Sequence, residues 1–285
     1  MLIFGLGYSA GVLAARLRGQ NAVGDWTVRA TGRSGDLDFA DRDAVEAALA
    51  GASHVLSSVP PDPAAKGPGG GDPVLAAYGG ALAGSGAWLG YLSSTGVYGD
   101  TGGAWVDESA QVGTGRRTAR AEADLAWQAL GARVFRLPGI YGPGRSPLDR
   151  VASGAAHRIA LADQVFSRVH VEDIASGVIA GFAGPPGVYN LADDRPASQN
   201  AVIEEACRIL GREPPPLLSL AEANLSPLAA AFYAENRRVA NGKAKRGLGW
   251  VPAYPTFVEG LRAVSASTSP SSASAAPAPA SSDQR

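Results

Sequence analysis

Leu2-Ile3-Phe4-Gly5-Leu6-Gly7-Tyr8-Ser9-Ala10 is the stretch on which the reading of this chain turns. An apolar tripeptide runs into a Gly-x-Gly-x-x-Ala spacing, and helical periodicity follows over Ala10–Leu17. Gly5 permits a tight turn. Gly7 lets the backbone approach a pyrophosphate, and Ala10 lets the helix pack close to a sheet. The pyrophosphate would lie at Tyr8 and Ser9, against unpaired N–H groups of the helix N-terminus. The spacing therefore predicts a dinucleotide-binding turn at the start of an α/β fold.

Working outward, apolar runs alternate with amphipathic stretches. Strands are expected at Trp26–Thr31, His54–Val59, Trp88–Ser93 and Arg133–Leu137. Helices are expected at Asp43–Leu49, with Asp41 as N-cap, and at Val74–Ala83 and Ala119–Leu130. Strands separated by helices of this length imply βαβ units and a parallel sheet. Right-handed crossovers make that sheet doubly wound, a Rossmann-type α/β fold. From about residue 144 the pattern is less regular. It holds helical runs at Val171–Phe182 and Asn200–Leu210, and prolines 214–216 break the chain. We expect a cofactor part over about 1–143, a smaller substrate part over about 144–264, and a tail over 265–285. Eighteen of the 21 tail residues are Ser, Ala, Pro or Thr, too small to offset their ordering entropy.

The end of the second strand selects the dinucleotide. A carboxylate there accepts hydrogen bonds from the adenosine ribose of NAD. This chain instead reads Ala30-Thr31-Gly32-Arg33-Ser34, with Asp36 the nearest acid. Arg33 offers a planar donor fork for a 2′-phosphate, and Ser34 adds a hydroxyl. The expected cofactor is NADP(H), with NAD(H) the weaker alternative.

Composition narrows the remaining classes. Lys and Arg number 25 against 26 Asp and Glu, a net charge of −1. No bulk positive charge is available to hold nucleic acid or an anionic membrane. Cys207 is the single cysteine, so no intrachain disulfide forms, and the three histidines lie far apart with no metal-ligand spacing. No apolar run reaches the length of a membrane span, and no charged leader precedes Leu2. The expected protein is soluble, cytoplasmic, and a monomer or homodimer acting on a small molecule. Pro60 to Pro73 reads as a long loop at the third strand's carboxyl end, placed as a lid or binding segment.

Further segments carry a family resemblance. They are Ser57-Ser58-Val59-Pro60-Pro61, Ser93-Ser94-Thr95-Gly96-Val97-Tyr98-Gly99, Arg136 to Gly144, Val169-His170-Val171-Glu172-Asp173 and Val188 to Asp194. With the glycine turn, and in this order, the chain resembles the atypical and extended short-chain dehydrogenases/reductases, in the NAD(P)-dependent epimerase/dehydratase branch. The resemblance implies that Ser58, Val59 and Pro60 line the cofactor, and that Pro138 and Gly139 pack near the nicotinamide. It places Ser94 at the catalytic Ser/Thr position. Thr95, Tyr141 and Arg168 fall on the substrate side, with His170 and Asp173 nearby. His170, among apolar neighbours, reads as a packed, hydrogen-bonded residue.

The family pattern breaks at one point. Its reaction uses a Tyr-x-x-x-Lys pair, in which the lysine lowers the tyrosine pKa for proton exchange. If Arg120 takes the Lys position, Arg116 takes the Tyr position, and residues 99–123 contain neither Tyr nor Lys. Arginine stays protonated and offers no usable base. Arg120 can still supply charge and bond a ribose hydroxyl. Three readings stay open. The first is an NADP-dependent oxidoreductase or epimerase using another acid, with Tyr98 the first candidate and Tyr8 and Tyr141 behind it. The second is a non-catalytic NADP-binding sensor. The third is a structural homologue that uses the dinucleotide for stability.

Overall fold

The computed structural model describes residues 1–19, 24–65, 67–113, 118–225, 230 and 233–268. Its centre is a six-stranded sheet in the order β10-β6-β4-β3-β1-β2, every pair parallel. These strands are β1 (Leu2–Phe4), β2 (Arg29–Ala30), β3 (His54–Ser57), β4 (Trp88–Ser94), β6 (Arg133–Leu137) and β10 (Gly187–Asn190). Between β4 and β6, β5 (Trp105–Val106) leaves the sheet to pair with β12 (Arg238–Val239). Two further parallel pairs build the second half: β7 (Gly139–Tyr141) with β9 (Arg168–His170), and β8 (Arg158–Ile159) with β11 (Leu217–Leu218).

Side-chain alternation explains why helices cover both faces. Ile3, Leu56, Leu92 and Phe135 point to one layer, with Leu13 and Leu17 of α1 (Tyr8–Arg18) and Ile174 and Val178 of α7 (Val171–Ala180). Phe4, Val55, Tyr91 and Val134 point to the other. That layer holds Val45 of α2 (Arg42–Ala50), Leu82 of α4 (Pro73–Gly84) and Trp127 of α5 (Thr118–Ala129). A separate apolar cluster fills the second half, from α6 (Pro147–Ala152), α8 (Gln199–Leu210) and α10 (Phe257–Thr268). Cys207 is buried in it, as a small apolar side chain. A short helix, α9 (Gly242–Leu248), precedes the buried Trp250.

Local signals in the sequence correspond to local structure. Asp41 caps α2 by accepting from Ala44 N. The second strand is shorter than expected, two residues rather than six. The tail also begins later, because α10 continues through Thr268 with Val264 buried, so residues 265–268 complete a helix. Residues 269–285 lie outside the described ones. The Pro60–Pro73 segment, expected as a lid, is docked where it is described. It carries a single turn, α3 (Pro68–Gly71), and Asp62 N donates to Gly71 O at 3.0 Å. Gly70 has φ +64, and a Cβ there would stand 2.7 Å from Ala119 O of α5.

Candidate functional site

The strand order reverses between β1 and β3, and open α/β sheets bind ligands outside that switch point. The glycine turn lies there. Gly5 has φ +81, and a Cβ on it would press to 2.8 Å from Val59 Cγ2. A Cβ on Gly7 would meet nothing within 4 Å, so this face of the backbone is open. Gly7 is the N-cap of α1 and no side chain caps the helix, which leaves its first N–H groups for a ligand. Ala10 is buried under the helix. Ser58 pins the turn by donating its hydroxyl to Gly5 O.

From this turn a groove of about 1020 Å³ runs past Val59 and Pro60 to Arg33 and Ser34. Arg33 and Ser34 are exposed on its rim. Asp36 faces elsewhere: its carboxylate accepts from Ala30 N at 2.7 Å and from Arg29 Nε. The donor set therefore fits a dinucleotide, with an open backbone cradle at one end and the exposed Arg33 guanidinium at the other.

Past Gly7, Tyr8 and Ser58 the groove opens into a cleft of about 440 Å³ at the carboxyl end of β4. Ser94 and Thr95 form one wall, Pro138 and Gly139 another, with Arg120 above them. Ser94 caps the 3-10 turn Thr95–Tyr98 by accepting from Gly96 N at 3.1 Å. Arg120 donates through Nη1 to the Tyr91 hydroxyl at 2.9 Å, which ties one edge of its guanidinium. Arg116 and Arg117 lie outside the described residues. Most of the expected residues thus converge: Gly7, Tyr8, Ser9, Ser58, Ser94, Thr95, Arg120, Pro138 and Gly139 share the cleft.

Three others do not line this cleft: Tyr98 is interior, and Tyr141 and Arg168 border the pocket beside it. Tyr98 is 2% exposed and does not line the cleft. Its turn directs the ring beneath β4, where the hydroxyl donates to Asn190 Oδ1 at 2.8 Å and accepts from Arg136 Nη1 at 2.9 Å. Burial holds its pKa above the usual phenol value. Arg136 in turn pairs with fully buried Asp124, which also accepts from Ser93 Oγ at 2.6 Å. Tyr98 belongs to this buried network and does not border the cleft.

Tyr141 is buried, and its hydroxyl lies against Gly260 of α10, away from the cleft. Desolvation raises its pKa further. Arg168 is 6% exposed and donates to Phe166 O, Ala197 O and Gln199 Oε1, each at 2.9 Å. Burial lowers its pKa to about 10. Its donors tie the start of β9 to the segment Ala197–Gln199. His170 is packed as expected: its Nδ1 accepts from Glu172 N at 3.3 Å and caps α7. Burial pushes its pKa down to about 4. Asp173 holds the segment after Trp250, accepting from Ala253 N and Tyr254 N.

Sequence reasoning missed Arg145, Glu235 and Arg237, which also line the cleft. Glu235 and Arg237 pair at 2.8 Å and arrive from a segment more than a hundred residues beyond Ser94. Nothing local marks them. Asp124 carried a signal, one helical turn after Arg120 on the inner side of α5. Among the described residues no cluster of acidic, His or Cys side chains could hold a metal, and no helix is long and apolar enough to cross a membrane.

A solved structure described as a functionally unknown conserved protein from Silicibacter pomeroyi DSS is 41% identical to this chain. It superposes with a TM-score of 0.80 over 93% of this chain and 98% of its own. The chain belongs to the family of that protein. The fold is that of the extended short-chain dehydrogenases/reductases. It recurs in Helicobacter pylori ADP-L-glycero-D-manno-heptose-6-epimerase, 15% identical with a TM-score of 0.72 over 93% of this chain and 95% of that one. It recurs also in human epimerase family protein SDR39U1 (isoform 2), solved with NADPH, 16% identical with a TM-score of 0.71 over 93% and 99%. Among curated proteins, the 3-diazoavenalumate denitrifying reductase of a Streptomyces species is 29% identical over 160 residues, 52% of each chain. The chain spans about half the length of the curated relatives it matches. No protein-family model matches it.

Proposed function

We propose that the protein is an NADP(H)-dependent oxidoreductase or epimerase acting on a small or nucleotide-linked carbonyl or hydroxyl substrate. One observation carries this reading: the glycine-turn groove and the Ser94 cleft are continuous through Gly7, Tyr8 and Ser58. The presence of NADPH in the human protein of the same fold, and the reductase named among the curated relatives, support it.

In this reading the first N–H groups of α1, at Tyr8, Ser9 and Ala10, hold the pyrophosphate, with Gly5 and Gly7 giving it room. Arg33 and Ser34 take the 2′-phosphate, and Ser58, Val59 and Pro60 line the path between. Pro138 and Gly139 form the floor under the nicotinamide, which when bound supplies hydride exchange with a substrate carbon. Ser94 donates a hydrogen bond to the substrate oxygen, with Thr95 beside it. Arg120 places fixed positive charge where negative charge develops on that oxygen. It can also bond a ribose hydroxyl, but it cannot give up a proton. With Tyr98 and Tyr141 turned away, Tyr8 is the described tyrosine that borders the cleft. Its hydroxyl now donates to Pro143 O at 3.0 Å, and burial raises its pKa, so it stays protonated as an acid.

The test is a pair of titrations followed by turnover. Loss of a charged, forked contact costs roughly 1.5–3 kcal/mol, so Arg33→Ala should weaken NADPH binding about 10–100-fold and leave NADH unchanged. Equal NADPH affinity in the two proteins would remove the NADP assignment. Ser94→Ala should lower kcat by about 10²–10³ with intact NADPH binding. A protein that binds NADPH yet never oxidises it across ketones and nucleotide sugars would count against catalysis.

A further inference from the structure

A second pocket, of about 330 Å³, adjoins the Ser94 cleft and shares Gly139, Ile140, Arg145, Phe166 and Ser167 with it. Its walls are mainly apolar, with Ile140, Pro147, Phe166 and the Tyr141 ring around the space. The polar side chains on it are largely committed within the protein. Ser146 and Asp149 form the capping box of α6. Ser167 Oγ accepts from Val239 N at 2.9 Å. Arg168 donates to Gln199 Oε1, and the Tyr141 hydroxyl, unpartnered among the described residues, is buried against Gly260 and does not face the space.

Two guanidinium groups are the exception. Arg150 donates to Ala155 O and forms no ion pair among the described residues. Arg145 is exposed, lies 5.8 Å over the Tyr8 ring, and likewise has no carboxylate partner among the described residues. It stands at the seam, bordering both spaces. A nucleobase recognised here would need hydroxyls or amides turned into the space to read its edge; Ser146, Ser167 and Gln199 Oε1 are already engaged, and the Tyr141 hydroxyl is buried. An apolar body needs only the walls, and an anion needs only Arg145.

We propose that this pocket receives the apolar body of a carboxylate substrate whose carboxylate pairs with Arg145. The proposal rests on the reading that chemistry occurs at Ser94, because it locates the rest of that substrate. It narrows the substrate class from any carbonyl or hydroxyl compound to apolar carboxylic acids.

The probes are cinnamate, its neutral amide cinnamamide, and uridine diphosphate. Each is titrated calorimetrically into the full-length protein with and without NADPH. Cinnamate should bind about tenfold more tightly than cinnamamide, the margin of one charge-assisted contact. Arg145→Gln should abolish that margin while leaving cinnamamide unchanged. Phe166→Ala should weaken both aromatic probes by a similar factor. Equal affinities for cinnamate and cinnamamide in the unmodified protein would overturn the proposal. So would tight binding of uridine diphosphate that cinnamate fails to displace. Failure of NADPH to bind would remove the cofactor reading by itself, and cinnamate binding to the protein alone would still decide the pocket.

Discussion

Tyr98 shows how residue type and residue position part company. On sequence it is the first candidate for the missing acid, yet its hydroxyl bridges Asn190 and Arg136 in the interior. Tyr98→Phe removes a buried donor and strands two polar partners, at a cost of about 1–3 kcal/mol. The expected outcome is a lower Tm with unchanged turnover; a kcat loss at full stability would return Tyr98 to the chemistry. Two neighbouring buried groups predict opposite pH responses. His170 titrates at about 4 in the folded protein, below its usual value of 6.5, because burial disfavours the cation. The unfolded chain therefore binds more protons between those values, and stability falls as pH drops from about 6.5 to 4. Asp193 is raised from 3.8 to about 7 by burial, so its protonated form stabilises the fold at low pH. That contribution fades as pH climbs through the same range and up to 7. His170→Asn, which keeps a capping acceptor for Glu172 N, should flatten the acid-side loss in a denaturant-midpoint series. Asp193→Asn should flatten the opposite slope. A variant curve parallel to the parent would reject the corresponding assignment.

At the scale of elements, α5 is where the site meets its support. The helix carries Arg120 on the cleft side, Asp124 one turn later in the buried ion pair, and Trp127 stacked 5.4 Å from Tyr91. Tyr91 in turn accepts from Arg120, so the side chain at the expected lysine position is braced from the sheet. The turn at Pro68–Gly71 leans on the same helix, and Trp127 Nε1 donates to buried Asp72 at 3.0 Å. Gly70→Ala tests that dependence. It adds a strained left-handed alanine, about 1–3 kcal/mol, and a Cβ that collides with Ala119 O next to Arg120. The expected outcome is a lower Tm together with a raised substrate KM. Gly86 is the matched control, since φ there is +64 but a Cβ would meet nothing within 4 Å. Gly86→Ala should cost stability alone. Equal KM values in the two variants would uncouple the turn from the cleft.

Across the whole molecule, what the sequence made legible is what short range determines. The glycine turn, the Asp41 cap and the parallel strands depend on residues a few positions apart and form where expected, with the second strand shortened to Arg29–Ala30. The site's far wall and the interior behind it depend on contacts no local pattern encodes: Arg237, which lines the cleft, reaches Gly99 at a separation of 138 residues, and buried Tyr98 meets Asn190 at a separation of 92. For the same reason the sequence puts Arg168 on the substrate side without showing the internal acceptors that hold its guanidinium. The cofactor half, being the local half, is therefore where a global measurement discriminates most directly. A ligand that binds only the folded chain stabilises it by about 2.7 kcal/mol at a hundred times its Kd. For a domain of this size that corresponds to a Tm rise of roughly 5–10 °C with NADPH. Arg33→Ala, at the same NADPH concentration, loses roughly 1.4 kcal/mol of that for each tenfold rise in Kd, a fall of about 3–5 °C in the shift. NADH at that concentration should shift wild type and Arg33→Ala equally and by less, because neither contact to a 2′-phosphate exists. Equal shifts from NADPH and NADH in the wild type would mean that Arg33 and Ser34 only border the groove and that it does not select the phosphorylated dinucleotide.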